Sequence, residues 1–324
     1  MGPPARPWRP LRLTLVTETF PPEVNGVART LGRWVEAFRA RGHCVAVVRP
    51  RQRGQPPAPG QVHGLPLPFY PGLRFGVAGP PRLRRLFAER APDLIHVATE
   101  GPLGWATLLA AASLGVPVAS SFHTNFDHYL GHYGVGTLRS VAFAYLRWFH
   151  NRTAVTLVPS VATRRRLKAG GVRRVRLWPR GVDAQAFHPR HRDPELRRAL
   201  GVEDGAPLLL YVGRLAAEKN LEALLAAFAR LRQGRPRLRL ALVGDGPLAE
   251  DLRRRQSLGV VLAGVQRGAA LSRWYASGDV FAFPSCSETF GNVVLEAQAS
   301  GLPVVGFDCQ GVNERVTPGR DGLL

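Results

Sequence analysis

At 324 residues, 45% of them hydrophobic and 21% charged, the chain suits two domains better than one and carries enough apolar material for real cores. Its formal charge of +21 is almost all arginine, since Lys168 and Lys219 are the only lysines; no zinc module, helix-turn-helix or aromatic-interleaved basic motif goes with it, so nucleic acid is not an expected partner. No apolar run approaches the roughly eighteen residues of a membrane span, no signal peptide precedes the first strand, and Cys44, Cys286 and Cys309 lack metal-ligand spacing, so a cytoplasmic protein with reduced thiols is expected.

Along the chain, short apolar runs alternate with helix-length segments, the pattern of a parallel α/β sheet. The first half predicts strands over 11–17, 45–48, 94–97, 116–120 and 154–158, with helices over 27–41 and 103–114 between them. A polar stretch broken twice by proline, His188-Pro189-Arg190-His191-Arg192-Asp193-Pro194, separates the halves. Strands restart over 208–212, 238–243, 260–262, 280–283 and 304–306, and Gly319-Arg320-Asp321-Gly322-Leu323-Leu324 reads as a turn entering another strand. The expected fold class is α/β, with two Rossmann-like domains facing a cleft: 1–184, a linker over 185–205, and 206–324.

Open α/β sheets bind ligands beyond the carboxyl ends of their strands, and the informative residues fall there. After the first strand comes Glu18-Thr19-Phe20-Pro21-Pro22-Glu23-Val24-Asn25-Gly26, where Gly26 ahead of a helix lets backbone approach an anion or sugar. The alternative is a plain Asn-Gly turn. The run is not a G-x-G-x-x-G fingerprint, so no dinucleotide cofactor is expected. Ser120-Ser121-Phe122-His123-Thr124-Asn125 follows a later strand, placing His123 at a strand end; Asp127, His128 and His132 read as a polar loop. In the second half, Gly213-Arg214-Leu215-Ala216-Ala217-Glu218-Lys219-Asn220 lets Arg214 and Lys219 converge on one diphosphate. A lysine retained in so arginine-rich a chain points to a compact charge there. Gly244-Asp245-Gly246-Pro247 is a tight turn after the next strand; no D-x-D appears, so no metal is expected.

The most informative stretch is Ser287-Glu288-Thr289-Phe290-Gly291-Asn292-Val293-Val294-Leu295-Glu296-Ala297. Glu288 lies in a loop, and Glu296 lies in a helix that starts near Gly291 or Asn292 and stops before Gly301-Leu302-Pro303. The helix start turns backbone amides and the positive dipole end toward a phosphate. The structural alternative is a surface helix bearing two ordinary glutamates.

This segment resembles the E-x7-E motif of retaining glycosyltransferases of family 4, which have the GT-B fold. The loops around Gly26 and His123 are similar to those of mannosyl- and sulfoquinovosyl-type members. The resemblance implies transfer of a hexose from a nucleoside diphosphate sugar to an acceptor hydroxyl, with GDP-mannose the leading donor and a UDP-sugar close behind. It implies that the first domain binds the acceptor, a lipid or glycan, and the second the donor. Gly26, Arg214, Lys219 and Gly244 would lie near the diphosphate and nucleotide. Glu288 would hold sugar hydroxyls and Glu296 the ribose, while Phe290, Gly291, Asn292 and Val293 meet sugar and phosphate through backbone. His123, Glu288, Arg214 and Lys219 would carry catalysis. Members of the family continue for some tens of residues, so a shortened C-terminal segment is expected. Two other readings stay open: a nucleotide-sugar 2-epimerase of the same fold, and a basic protein that binds membrane or nucleic acid. The segments from Arg82 to Phe87 and from Tyr145 to Phe149 interleave arginine with apolar residues, and either dock on anionic lipid or cover their own sheet.

Overall fold

The computed structural model describes residues 9–23, 25–52, 54–66, 74–123, 139–202, 205–255, 258–286, 290–309 and 311–324. The chain forms two compact units that divide between Pro179 and Arg180, ahead of the expected end of the first domain at 184.

The first unit is built on an eight-stranded sheet: β1 (Arg12–Val16), β2 (Cys44–Pro50), β3 (Gln61–Pro66), β4 (Arg74–Val77), β5 (Leu94–Val97), β6 (Val118–Ser121), β7 (Val155–Val158) and β8 (Val175–Leu177). Their spatial order is β4-β3-β2-β1-β5-β6-β7-β8. Among the described residues β3 and β4 pair antiparallel and the other neighbours pair in parallel. Successive side chains leave opposite faces of a strand, so each face collects its own core. Leu13 and Leu15 pack with Leu31 and Val35 of helix α1 (Gly26–Ala40), while Val16 and Val97 pack with Leu103 and Ala106 of α3 (Pro102–Ser113). Strands buried on both faces read as continuous apolar runs, which is why β1, β5 and β7 stand out in the sequence. By contrast β3, β4 and β8 lie outside the predicted set. The segment before β3 is dense in proline and glycine, and β8 is only Val-Arg-Leu, so neither offers a periodic signal.

In helix α2 (Pro80–Arg90), Leu83 and Phe87 are fully buried in the unit's own core while Arg82, Arg84 and Arg85 face outward, so its apolar side covers the sheet and its arginines stay exposed. In α4 (Arg139–Asn151), Leu146 and Phe149 are likewise buried, while Val141 and Tyr145 are exposed. No helix among the described residues is long and apolar enough to cross a membrane.

The second unit carries β9 (Leu208–Val212), β10 (Arg239–Val243), β11 (Val260–Gly264), β12 (Val280–Phe283), β13 (Val304–Gly306) and β14 (Gly322–Leu323), in the order β11-β10-β9-β12-β13-β14 and parallel throughout. The stretch expected as a linker over 185–205 differs from that expectation, because it is folded onto this unit. Pro189 and Pro194 each open a helical turn, at Pro189–His191 and in α6 (Pro194–Ala199), where a missing N–H costs nothing. The anchor is Asp279, whose carboxylate accepts from Arg192 at 2.7 Å, from Arg197 at 2.8 Å and from the Leu208 amide at 2.8 Å. Burial opposes ionisation of Asp279, but these three donors outweigh it and hold the carboxyl below its usual range. The polarity that suggests a linker in sequence is therefore a set of ion-pair partners.

Candidate functional site

In the second unit β9 lies between β10 and β12, so the strand order reverses there, and the loops leaving β9 and β12 form the crevice where such sheets take ligands. The loop after β9 runs through Gly213 and Arg214 into a short 3-10 turn, Ala217–Lys219, and Asn220 leads into α7 (Leu221–Gly234). Its shape is fixed from below. The Tyr211 hydroxyl, fully buried, donates to the Arg214 carbonyl at 2.9 Å, and the Leu215 amide donates to the Asp245 carbonyl at 2.9 Å. Gly244 sits so close that a Cβ would fall 1.9 Å from the Gly213 carbonyl oxygen. The two turns singled out by sequence are thus interlocked through backbone. Arg214 lies 3.7 Å from Glu218, and Lys219 Nζ donates to Ser285 Oγ at 3.4 Å, which brings the β9 loop against the loop after β12.

That second loop leads into α10 (Asn292–Ala299), within the range read from sequence. Gly291 precedes it at φ +77°, and a Cβ there would meet the Gly311 carbonyl oxygen at 2.5 Å, so only glycine fits. Asn292 and Val293 occupy the first turn, whose amides have no carbonyl one turn behind them. Phe290 is buried, with the Arg315 guanidinium 3.9 Å above its ring and that of Arg180 at 5.6 Å. Glu296 is buried one turn into the helix and accepts from the equally buried Tyr275 hydroxyl, on α9 (Gly268–Ser277), at 3.0 Å. Glu288 lies outside the described residues.

In the first unit the strand order reverses at β1, between β2 and β5. Asn25 caps α1, its Oδ1 accepting from the Ala28 amide at 2.8 Å and its Nδ2 donating to Thr19 Oγ1 at 2.7 Å. Gly26 is the exposed first residue of that helix. Glu18 turns inward to accept from the Gly76 amide and, at 3.3 Å, from the Leu103 amide at the start of α3. Burial dominates over these bonds and pushes its carboxyl up to about 7. His123 stands just past β6, nearly buried, with Nε2 2.7 Å from Ser121 Oγ. On the other face of the same strand Ser120 meets His150 at 2.9 Å, and His150 lies 3.2 Å from Glu100. This acid–histidine–serine order looks like a hydrolytic triad, but Ser120 is wholly buried, out of reach of any substrate.

The structure therefore gathers Arg214, Lys219 and Gly244 on interlocked turns of one unit, ties them through Ser285 to the loop that leads to Phe290, Gly291, Asn292, Val293 and Glu296, and places Gly26 and His123 in the other. Asp127, His128 and His132 lie outside the described residues. Sequence reading missed Ser285, Tyr275, Ser121 and Glu18. Ser285 and Glu18 sit two residues past their strands, where the strand-end rule would have found them. Tyr275 carried no local signal.

Residues 24–186 match the family profile Glycosyltransferase Family 4, and residues 206–324 match the profile Glycosyl transferases group 1. The chain is 40% identical to a GDP-mannose-dependent alpha-mannosyltransferase of Mycolicibacterium smegmatis, over 97% of this chain and 84% of that protein. It is 35% identical to a sulfoquinovosyl transferase of Arabidopsis thaliana, over 97% of this chain and 63% of that protein. Among solved structures, sucrose-phosphate synthase from Thermosynechococcus elongatus superposes with a TM-score of 0.75 at 21% identity, covering 97% of this chain and 85% of that one, which speaks for the fold alone. With profile matches on both units and relatives aligned along nearly its whole length, the chain belongs to glycosyltransferase family 4 and is a glycosyltransferase of the GT-B fold.

Proposed function

We propose that this glycosyltransferase moves a mannosyl group from GDP-mannose to an acceptor hydroxyl with retention of anomeric configuration. In this reading the second unit binds the donor and the first the acceptor. The observation that carries it is the meeting of Lys219 with Ser285, which sets a cationic turn against the loop leading to the N-terminus of α10. That arrangement suits a departing diphosphate: Arg214 and Lys219 supply charge and the first-turn amides of α10 supply donors, without a metal ion. The 40% identity to a GDP-mannose-dependent enzyme supports the choice of donor.

Glu288 holds sugar hydroxyls, Glu296 the ribose, and His123 faces the transferred sugar. Catalysis then rests on positioning and electrostatics, with the acceptor on the face the diphosphate leaves. A donor other than GDP-mannose, such as a UDP-sugar, is the second reading, favoured by the 35% identity to a transferase of a different sugar. The test is thermal stabilisation by GDP, UDP and ADP, each with and without Mg²⁺. A ligand that binds only the folded state at a hundred times its Kd adds about 2.7 kcal/mol. A shift with GDP alone, unchanged by Mg²⁺, supports the reading; a shift with UDP alone moves it to the second donor. Donor conversion without any acceptor would instead indicate a 2-epimerase.

The acceptor we infer is a lipid or glycan at an anionic membrane surface. Exposed Trp105 and Leu109 on α3 and Val141 and Tyr145 on α4 provide apolar contact, and Arg82, Arg84 and Arg85 on α2 provide charge. Binding to vesicles containing anionic lipid that is lost at high salt supports this; indifference to lipid charge removes it.

A further inference from the structure

The strand β6 ends in two adjacent serines whose side chains leave opposite faces of the sheet, and the two do different things. Ser120 joins the buried His150 and Thr153 beneath α4. Ser121 instead lies between two imidazoles, 2.8 Å from His96 Nε2 and 2.7 Å from His123 Nε2. The register explains the meeting: His96 of β5 pairs with Ala119 of β6, and Ser121 is the next residue on that same face. Trp178 meets both rings edge-on, at 5.6 Å and 6.0 Å between centroids, and Trp34 of α1 lies 5.4 Å from His96.

We propose that His96 is a positioning residue for His123, acting through the Ser121 hydroxyl that both rings share. This rests on the reading that His123 faces the transferred sugar. A serine hydroxyl holds one proton, so it donates to one Nε2 and accepts from the other. One of the two Nε2 atoms is therefore protonated and the other bare, and the tautomers of the two histidines are linked. When His123 takes a second proton, its Nε2–H must donate to Ser121, and the hydroxyl turns to His96. His96 is able to accept because burial alone pushes its pKa down to about 4 and keeps it neutral. Both rings meet Ser121 and Trp178, and His96 also meets Trp34, none of which carries charge. The carboxyls of Glu18 and Glu100 make their contacts toward α3 and α4, and His43 and Asp93 bond to Leu11 and Arg12 at the amino-terminal end of β1, the opposite end of the strands from Ser121. The linkage fixes which edge of His123 donates and holds its ring in one orientation while the sugar transfers.

The test combines ¹⁵N-histidine NMR of the full chain with steady-state kinetics. In the native protein the His96 ring resonances are expected to move with the midpoint of His123 while His96 stays neutral; in Ser121→Ala that coupling disappears. A His96 signal silent at the His123 midpoint, or coupling that persists in Ser121→Ala, overturns the proposal. Ser121→Ala and His96→Leu are expected to lower kcat about tenfold, with donor KM within about twofold, and to shift the acid limb of the kcat–pH profile. His96→Gln, which keeps an amide near the Nε2 position, is expected to recover most of that loss. If His123→Asn abolishes turnover while Ser121→Ala and His96→Leu leave kcat unchanged, the positioning role falls and the reading of His123 stands. If His123→Asn itself leaves kcat unchanged, that reading falls, whatever the NMR coupling.

Discussion

Lys219 Nζ reaches Ser285 Oγ at 3.4 Å, so one side chain spans the loops leaving β9 and β12 at the point where the strand order reverses. The contact is long for a hydrogen bond to an ammonium. In a chain with 42 arginines and two lysines (44 basic residues less Lys168 and Lys219), a lysine at this turn points to a compact charge, which the proposed function assigns to the diphosphate.

Lys219→Ala is therefore expected to weaken GDP binding by about 2 kcal/mol, a factor of roughly thirty, while the ligand-free melting temperature changes little. Lys219→Arg is expected to restore this only in part, because a planar fork replaces a point charge. Isothermal titration with GDP checks both variants.

Glu288→Ala separates chemistry from binding. GDP affinity is expected to stay near native while turnover collapses, since Glu288 is assigned to sugar hydroxyls. A comparable loss of GDP affinity in calorimetry would falsify that division of labour.

Glu296 carries two consequences. Replacing it with alanine removes the 3.0 Å hydrogen bond from the buried Tyr275 hydroxyl, at a cost of about 2 kcal/mol in denaturant unfolding. If it also binds ribose, Glu296→Ala weakens GDP binding more than pyrophosphate binding, which competition experiments can resolve.

Glu18 predicts a pH slope. Its carboxyl is held at about 7 in the folded protein against 4.5 as the ordinary value, so between those limits the folded state binds more protons than the unfolded one. Stability from this group is full below about pH 4.5 and is lost as pH rises through 7. Glu18→Gln is expected to flatten the stability curve between those limits, whatever its absolute offset. Urea unfolding from pH 5 to 8 measures the difference in slope.

Gly244→Ala tests the interlock of the two turns. A Cβ placed 1.9 Å from the Gly213 carbonyl forces one turn away from the other, at a cost of about 3 kcal/mol. A melting temperature within a degree or so of native would show that the turns part freely.

Much of this enzyme was legible from one chain. The strands 208–212, 280–283 and 304–306 appear with the predicted bounds, and α10 starts at Asn292, because doubly buried parallel strands and a glycine-to-helix junction leave strong local signals. The short strands β3, β4 and β8 left none, being held by neighbours rather than by their own periodicity. The stretch over 185–205 misled for a related reason. Its arginines look solvated until Asp279, some 80 residues later, receives them, while the Asp193 amide donates to Ser277 Oγ.

By itself the sequence determined the alternation of strands and helices, the turns bearing Gly26, Arg214, Lys219 and Gly244, and the helix bearing Glu296, since each depends on residues adjacent in the chain. Only the tertiary structure decided that Lys219 meets Ser285, that Tyr275 holds Glu296, and that Ser121 lies between His96 and His123. Those contacts join residues on different strands and helices, and their partners are set by strand order and register, which no local pattern encodes.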